Sequence, residues 1–224
     1  MSSSFARDRP SGLATIDVAA IRDAVRARAN ISDDAFDRIY PVSHRHRSSV
    51  HWTPIDIGLQ VAGLLAGIPG GRILDVGSGV GKMCIVGALA GDAHWFGVER
   101  DRKMVRIAQR VASELGVANR TSFVHEDGMD LDWSTFGGVY LFNPFAEEAF
   151  REGAIDPLLG KATFFHQVLK VERRLATLRV GARVVTYFGF GGELPPGFDL
   201  VTSIRARGDA VQLWIRTEVP RDRS

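Results

Sequence analysis

The chain has 224 residues, 45% hydrophobic and 24% charged, which is the size and balance of one compact domain and a tight fit for two. With 28 Lys and Arg against 26 Asp and Glu, the net charge is only +2, so no global field draws it to nucleic acid or membrane, although local basic patches remain open. The single cysteine, Cys84, argues against a disulfide framework or a thiolate zinc cluster and is expected as a small buried core residue.

Residues 1–13 have the composition of a mobile polar tail without an apolar signal segment, and no later run reaches the ~18 apolar residues of a membrane helix. A soluble, cytoplasmic protein is expected. Ile16, Val18, Ile21, Val25 and Ala29 recur among Arg and Asp, predicting an amphipathic helix. A second short helix is predicted from Ser32, whose hydroxyl can cap, to before Pro41. PVSHRHRSSVHWTP reads as loop, and Asp56–Leu65 as a helix ended by IPGG.

From there the pattern alternates: strand ILDVG, helix KMCIVGALAG, strand HWFGVE, helix DRKMVRIAQRVASELG, strands TSFVHED and GGVYLFN, long helix KATFFHQVLKVERRLATLRVG, strand ARVVTYFGF. Such alternation predicts an α/β fold, a mostly parallel doubly wound sheet with helices on both faces. FDLVTSIRARG and DAVQLWIRTEV then read as a terminal antiparallel hairpin. The expected division is residues 1–54 as tail, helices and basic loop, and 55–224 as the ligand-binding domain. Tyr140, Phe142, Phe188 and Phe190 alternate within predicted strands and are expected in the core.

After the first strand, DVGSGVGK sets Gly77, Gly79 and Gly81 at the carboxyl edge of the sheet, where such sheets bind ligands. A dinucleotide fingerprint runs G-x-G-x-x-G, but here the third glycine comes one residue early and Lys82 takes its place, which disfavours an NAD-type oxidoreductase. Lys82 is read simply as the start of its helix. Glu99 ends the second strand, where a carboxylate can accept from both ribose hydroxyls, and Asp127 ends the third, within reach of an adenine amine.

DVGSGVG, GVER, HEDGMD and FNPF, in that order and followed by a hairpin, resemble the class I S-adenosylmethionine-dependent methyltransferase family over roughly residues 55–217. The resemblance implies S-adenosyl-L-methionine as cofactor. It implies Asp75, Gly77, Gly79 and Gly81 around the methionine part, Glu99 at the ribose, Asp127 at the adenine with Met129 packing on its face, and Ser78, Arg100 and Gly128 as further cofactor contacts. Asn143-Pro144-Phe145 resembles the Asn-Pro-Pro-aromatic motif of amino-methylating enzymes, with one proline missing and the aromatic one place early. It implies Asn143, Pro144 and Phe145 as catalytic, with Asn143 also beside the cofactor and its side-chain oxygen orienting an amine lone pair. HWTP is similar to the Tyr-Thr-Pro segment of adenine-amino methyltransferases and implies Thr53 as a further cofactor contact. DVGSGVGK followed by GVE also resembles the cofactor loop of non-SET histone-lysine methyltransferases.

His44, His46 and His51 with Arg45 and Arg47 invite a metal reading, but they have no acidic partner nearby and no zinc-like spacing. No metal is expected. The expected function is methylation of an amine on a protein or a small molecule; nucleic-acid adenine is a less favoured acceptor, and a binding module without turnover is the alternative outside enzymes.

Overall fold

The computed structural model describes residues 17–46, 48–68, 70–144 and 157–218. The predicted tail, Ile16, Arg47 and Phe145 lie outside the described residues. The helices are α1 Val18–Arg26, α2 Asp33–Asp37, α3 Val42–Arg45, α4 Ser48–His51, α5 Ile55–Leu64, α6 Lys82–Ala90, α7 Arg102–Glu114 and α8 Pro157–Leu175. The strands are β1 Arg72–Val76, β2 His94–Glu99, β3 Thr121–His125, β4 Gly138–Phe142, β5 Arg183–Tyr187, β6 Phe198–Ala206 and β7 Asp209–Arg216.

Local chemistry sets several starts. The Asp17 carboxylate accepts the Ala20 N–H at 2.9 Å, the Ser32 hydroxyl accepts that of Ala35 at 3.2 Å, and Asp101 accepts that of Lys103 at 2.7 Å. Each side chain satisfies a donor that the first helical turn leaves unpaired.

The strands form one seven-stranded sheet in the order β3-β2-β1-β4-β5-β7-β6. Pairing is parallel from β3 to β5, while β7 runs antiparallel to both β5 and β6. This is the mixed α/β sheet with a terminal hairpin that the alternation predicts. β1 pairs with both β2 and β4, so the chain runs outward to β3 and returns on the other side of β1. That reversal opens a crevice beyond the carboxyl ends of β1 and β4, the place where doubly wound sheets hold ligands.

Two cores cover the sheet. Phe36 of α2, with Tyr40 and Trp52 from the N-terminal segment, shares the first with Ile57, Ile85, Trp95 and Val105. Trp133, Val139, Val171, Leu175 and Val184 belong to the second, where α8 packs. Cys84 is a free, fully buried thiol.

Four expectations are corrected. The segment read as a loop before Thr53 forms the one-turn helices α3 and α4. Arg45 secures the first of them by donating from Nε to the Tyr40 carbonyl at 2.8 Å and from its terminal nitrogen to that of Arg38. α8 stops at Leu175, before the predicted Gly181, as the chain turns and the Leu178 N–H returns to the Leu175 carbonyl at 3.1 Å. β3 ends at His125, two residues short of Asp127. β5 ends at Tyr187, because Phe188 adopts φ +55° and leaves the extended conformation. Phe190 is buried as expected, but Phe188 is 44% exposed.

Candidate functional site

The chain leaves β1 over the end of β2. The Gly77 and Ser78 N–H groups both donate to the Val98 carbonyl, at 3.0 and 3.1 Å, and the Gly81 N–H closes the turn on the Ser78 carbonyl at 2.8 Å. Gly81 stands at φ +79° directly before α6, and a Cβ there would lie 2.6 Å from the Phe123 ring and 2.7 Å from Ala108. Only glycine meets both demands. Gly77, at φ +74°, faces Pro144, whose Cβ would lie 3.4 Å from an added Cβ. The glycine loop after β1 and the Asn-Pro pair after β4 therefore meet across the crevice.

Glu99 is held by two amides, Gly79 N–H to Oε2 at 3.0 Å and Asp101 N–H to Oε1 at 2.8 Å. Each oxygen accepts one bond and keeps further acceptor capacity for hydroxyls. Arg100 is exposed beside it. Past β3, the Asp127 carboxylate accepts the Met129 N–H at 2.9 Å, while the Trp133 indole donates to the Gly128 carbonyl at 2.8 Å. Arg174 of α8 donates to the Met129 carbonyl at 2.6 Å, so the loop is pinned from the second core, in which the Met129 side chain is buried. Asn143 stands at φ +35°, and its N–H donates to the Gly189 carbonyl at 2.8 Å. Thr53 is buried with its hydroxyl 2.9 Å from that of Tyr140.

Asp75 is 4% exposed. Burial pushes its carboxyl up to about 7; the Cys84 thiol, donating at 3.4 Å, opposes the shift and the Glu99 charge adds to it. Among the described residues no cation pairs with it. A buried carboxyl without a counter-charge suits a ligand that brings its own ammonium group.

Lys82 starts its helix as the sequence predicts, but its ion pairs were not foreseen. It is 3% exposed, and its ammonium pairs at 2.8 Å with both Asp33 and Asp37 of α2, beneath the rings of Phe36 and Trp52. The Ser48 hydroxyl donates to Asp37, and Asp33 also accepts the Ile55 N–H at 2.8 Å. From the β6–β7 turn, Arg207 reaches Asp33 at 3.3 Å and Asp56 at 2.9 Å. The available signal was one charge opening an otherwise apolar helix, KMCIVGALA, because a buried lysine needs a partner. Among the described residues no group of three His, Cys, Asp or Glu could hold a metal ion, and no helix is long and apolar enough to cross a membrane.

Residues 73–161, from β1 into α8, match the family model described as a methyltransferase domain. Over those residues the chain is similar to methyltransferase domains. The cofactor of that domain class is S-adenosyl-L-methionine. The O-methyltransferase rstn1 of Aspergillus nomiae is 29% identical over 119 residues, which are 52% of this chain and 50% of that protein. The chain thus spans about half the length of this curated relative. Two solved structures share the methyltransferase fold. An RNA methyltransferase from Salinibacter ruber, in complex with S-adenosyl-L-homocysteine, is 24% identical with a TM-score of 0.50, covering 75% of this chain and 94% of that one. A putative O-methyltransferase from Klebsiella pneumoniae is 16% identical with a TM-score of 0.55, covering 89% and 97%.

Proposed function

We propose that the protein transfers a methyl group from S-adenosyl-L-methionine to an amine nitrogen on a protein or small molecule. The observation that carries this reading is the approach of Gly77 to Pro144, which brings the glycine loop and Asn143 to one crevice. Asp75 would face the ammonium of the cofactor's methionine part, with Gly77, Ser78, Gly79 and Gly81 as the cradle. Glu99, next to Arg100, would hold the ribose; Asp127, Gly128 and Met129 would border the adenine, and Thr53 the methionine end.

When bound, the cofactor supplies an electrophilic methyl on a sulfonium, so positioning is the main task left to the protein. Asn143, with Pro144 and Phe145 following, would orient the acceptor's lone pair through the side-chain oxygen. The buried free thiol of Cys84 fits a reducing compartment, and we place the protein in the cytoplasm. The resemblance to rstn1 favours a hydroxyl acceptor as the second reading.

The test is transfer of radiolabelled methyl to a lysate lacking this protein, with products divided by protease, nuclease and size. Label on amines of protease-sensitive or small products is expected. Asn143→Ala should lower turnover by about 10²-fold, the cost of a misplaced reactant, while S-adenosylhomocysteine affinity stays within about twofold of the parent. Label on hydroxyls alone would move the acceptor to oxygen, and tighter binding of NAD than of S-adenosylhomocysteine would overturn the reading.

A further inference from the structure

Two residues with left-handed backbone follow neighbouring strand ends, directly after the paired Phe142 and Tyr187. Asn143 follows β4 at φ +35° and Phe188 follows β5 at φ +55°. The Asn143 N–H is tied to the carbonyl of Gly189, the next residue after Phe188. A bulky aromatic in this region is an outlier that surrounding structure must enforce. Here the enforcement holds the Phe188 ring 44% exposed instead of continuing β5.

The ring is also buttressed. Its centroid lies 4.7 Å from that of Tyr187 and 6.0 Å from that of Phe142, and the latter two are 5.2 Å apart. Tyr187 is buried, so Phe188 forms the exposed end of a packed aromatic cluster.

Charged groups stand near this cluster. Tyr187 lies in the field of Arg207, Asp56 and Asp209, and Arg207 is shared by Asp56 and Asp33, so that cation is already committed to carboxylates. An exposed aromatic face attracts a further cation and gives no such advantage to its uncharged isostere.

We infer that Phe188 is an acceptor-contacting, specificity-determining residue, whose exposed ring receives the acceptor as a primary ammonium beside Asn143, the ammonium losing its proton to solvent water before transfer. The inference rests on the amine reading above and names the form in which the acceptor is recognised. It also gives a source for the aromatic contact that the single-proline motif moves away from its usual place.

The test uses the full chain saturated with S-adenosylhomocysteine, whose own binding is measured first. Two ammonium probes, N-acetyl-lysine methylamide and benzylamine, are titrated beside the uncharged N-acetyl-norleucine methylamide and benzyl alcohol. Both ammonium probes are expected to bind at least about fivefold more tightly than their uncharged mates, corresponding to a cation–π contact of moderate strength. A preference for the lysine amide identifies a protein side chain as source, and a preference for benzylamine a small aromatic amine. Phe188→Ala should remove the preference and Phe188→Tyr keep it, with the urea midpoint confirming that each variant folds and S-adenosylhomocysteine affinity unchanged. Equal binding of benzylamine and benzyl alcohol, or an unchanged preference in Phe188→Ala, overturns this inference and leaves the methyltransferase reading intact. Failure of the parent protein to bind S-adenosylhomocysteine overturns both.

Discussion

The loop after β1 and the corner where α2, α6 and the β6–β7 turn meet are neighbours built from different materials. Backbone makes the loop: amides bond to Val98 and Glu99, and glycines occupy places where a Cβ would collide or strain. Charge makes the corner: Lys82 lies buried between Asp33 and Asp37, and Arg207 bridges Asp33 and Asp56. A shape set by backbone is indifferent to pH and salt, whereas one set by buried charge depends on each partner keeping its protonation state. The contact between the regions is Lys82 itself, the first residue of α6 and the residue after Gly81.

The largest way to separate the two regions is Lys82→Met. Removing the cation leaves the carboxylates of Asp33 and Asp37 without the charge they share. Loss of one partner from a buried pair costs about 3–5 kcal/mol, and a fall of that size in unfolding free energy at pH 7 is expected from urea titration. In the parent, burial raises both carboxyls, Lys82 draws Asp33 to a net lowered value, and Asp37 remains raised. The loss should therefore shrink as the pH falls and the carboxylates of the variant take up protons. A deficit of equal size at pH 4 and pH 7 would show that packing, and not charge, holds the corner.

Gly81→Ala is the corresponding change in the loop. A left-handed alanine costs about 1–2 kcal/mol, and overlap with Phe123 and Ala108 adds about 1–3 kcal/mol of overpacking. The expected destabilisation, about 2–5 kcal/mol, should be the same at both pH values. It should also weaken S-adenosylhomocysteine binding, because α6 begins directly after this residue. Normal affinity in a destabilised variant would detach the cradle from the helix it opens.

How much of each region could be read in the sequence follows from the same difference. The glycine loop, Glu99 and the alternation of strands and helices rest on local patterns, and Asp75, Gly77 and Glu99 lie where that alternation puts them, at or beside the ends of β1 and β2. The Lys82 corner joins residues 45 and 49 positions apart, Asp37 and Asp33, and Arg207 is 174 residues from Asp33; no local periodicity registers such pairs. Phe188 was misread because a period-2 aromatic pattern cannot reveal that the chain turns left-handed at the strand's end. α3 and α4 are single turns, too short to carry a helical period, and Arg45 holds the first by reaching back to Arg38 and Tyr40.

Asp75 breaks the contrast, since it is a buried titratable group in the backbone-built region. Lys82 finds its counter-charges within the chain; among the described residues Asp75 finds none. Its folded carboxyl, pushed up to about 7 from the ordinary 3.8, fixes the sign. Below pH 3.8 both folded and unfolded chains carry the proton and the stabilising contribution is complete. Between there and about pH 7 the unfolded chain ionises while the folded one keeps its proton. Stability from this group then falls as pH rises, by at most about 1.4 kcal/mol per pH unit, and levels off once the folded carboxyl ionises too. Asp75→Asn should flatten that slope in urea midpoints taken at pH 5 and pH 7.5, and parallel slopes would place the titration elsewhere. An ammonium arriving with the ligand lowers the same carboxyl, so S-adenosylhomocysteine binding near pH 6 should release up to one proton. Calorimetry in buffers of different ionisation enthalpy would detect that proton, and Asp75→Asn should abolish it. On the proposed reading, the counter-charge that α2 gives to Lys82 during folding is, at Asp75, left for the cofactor to bring.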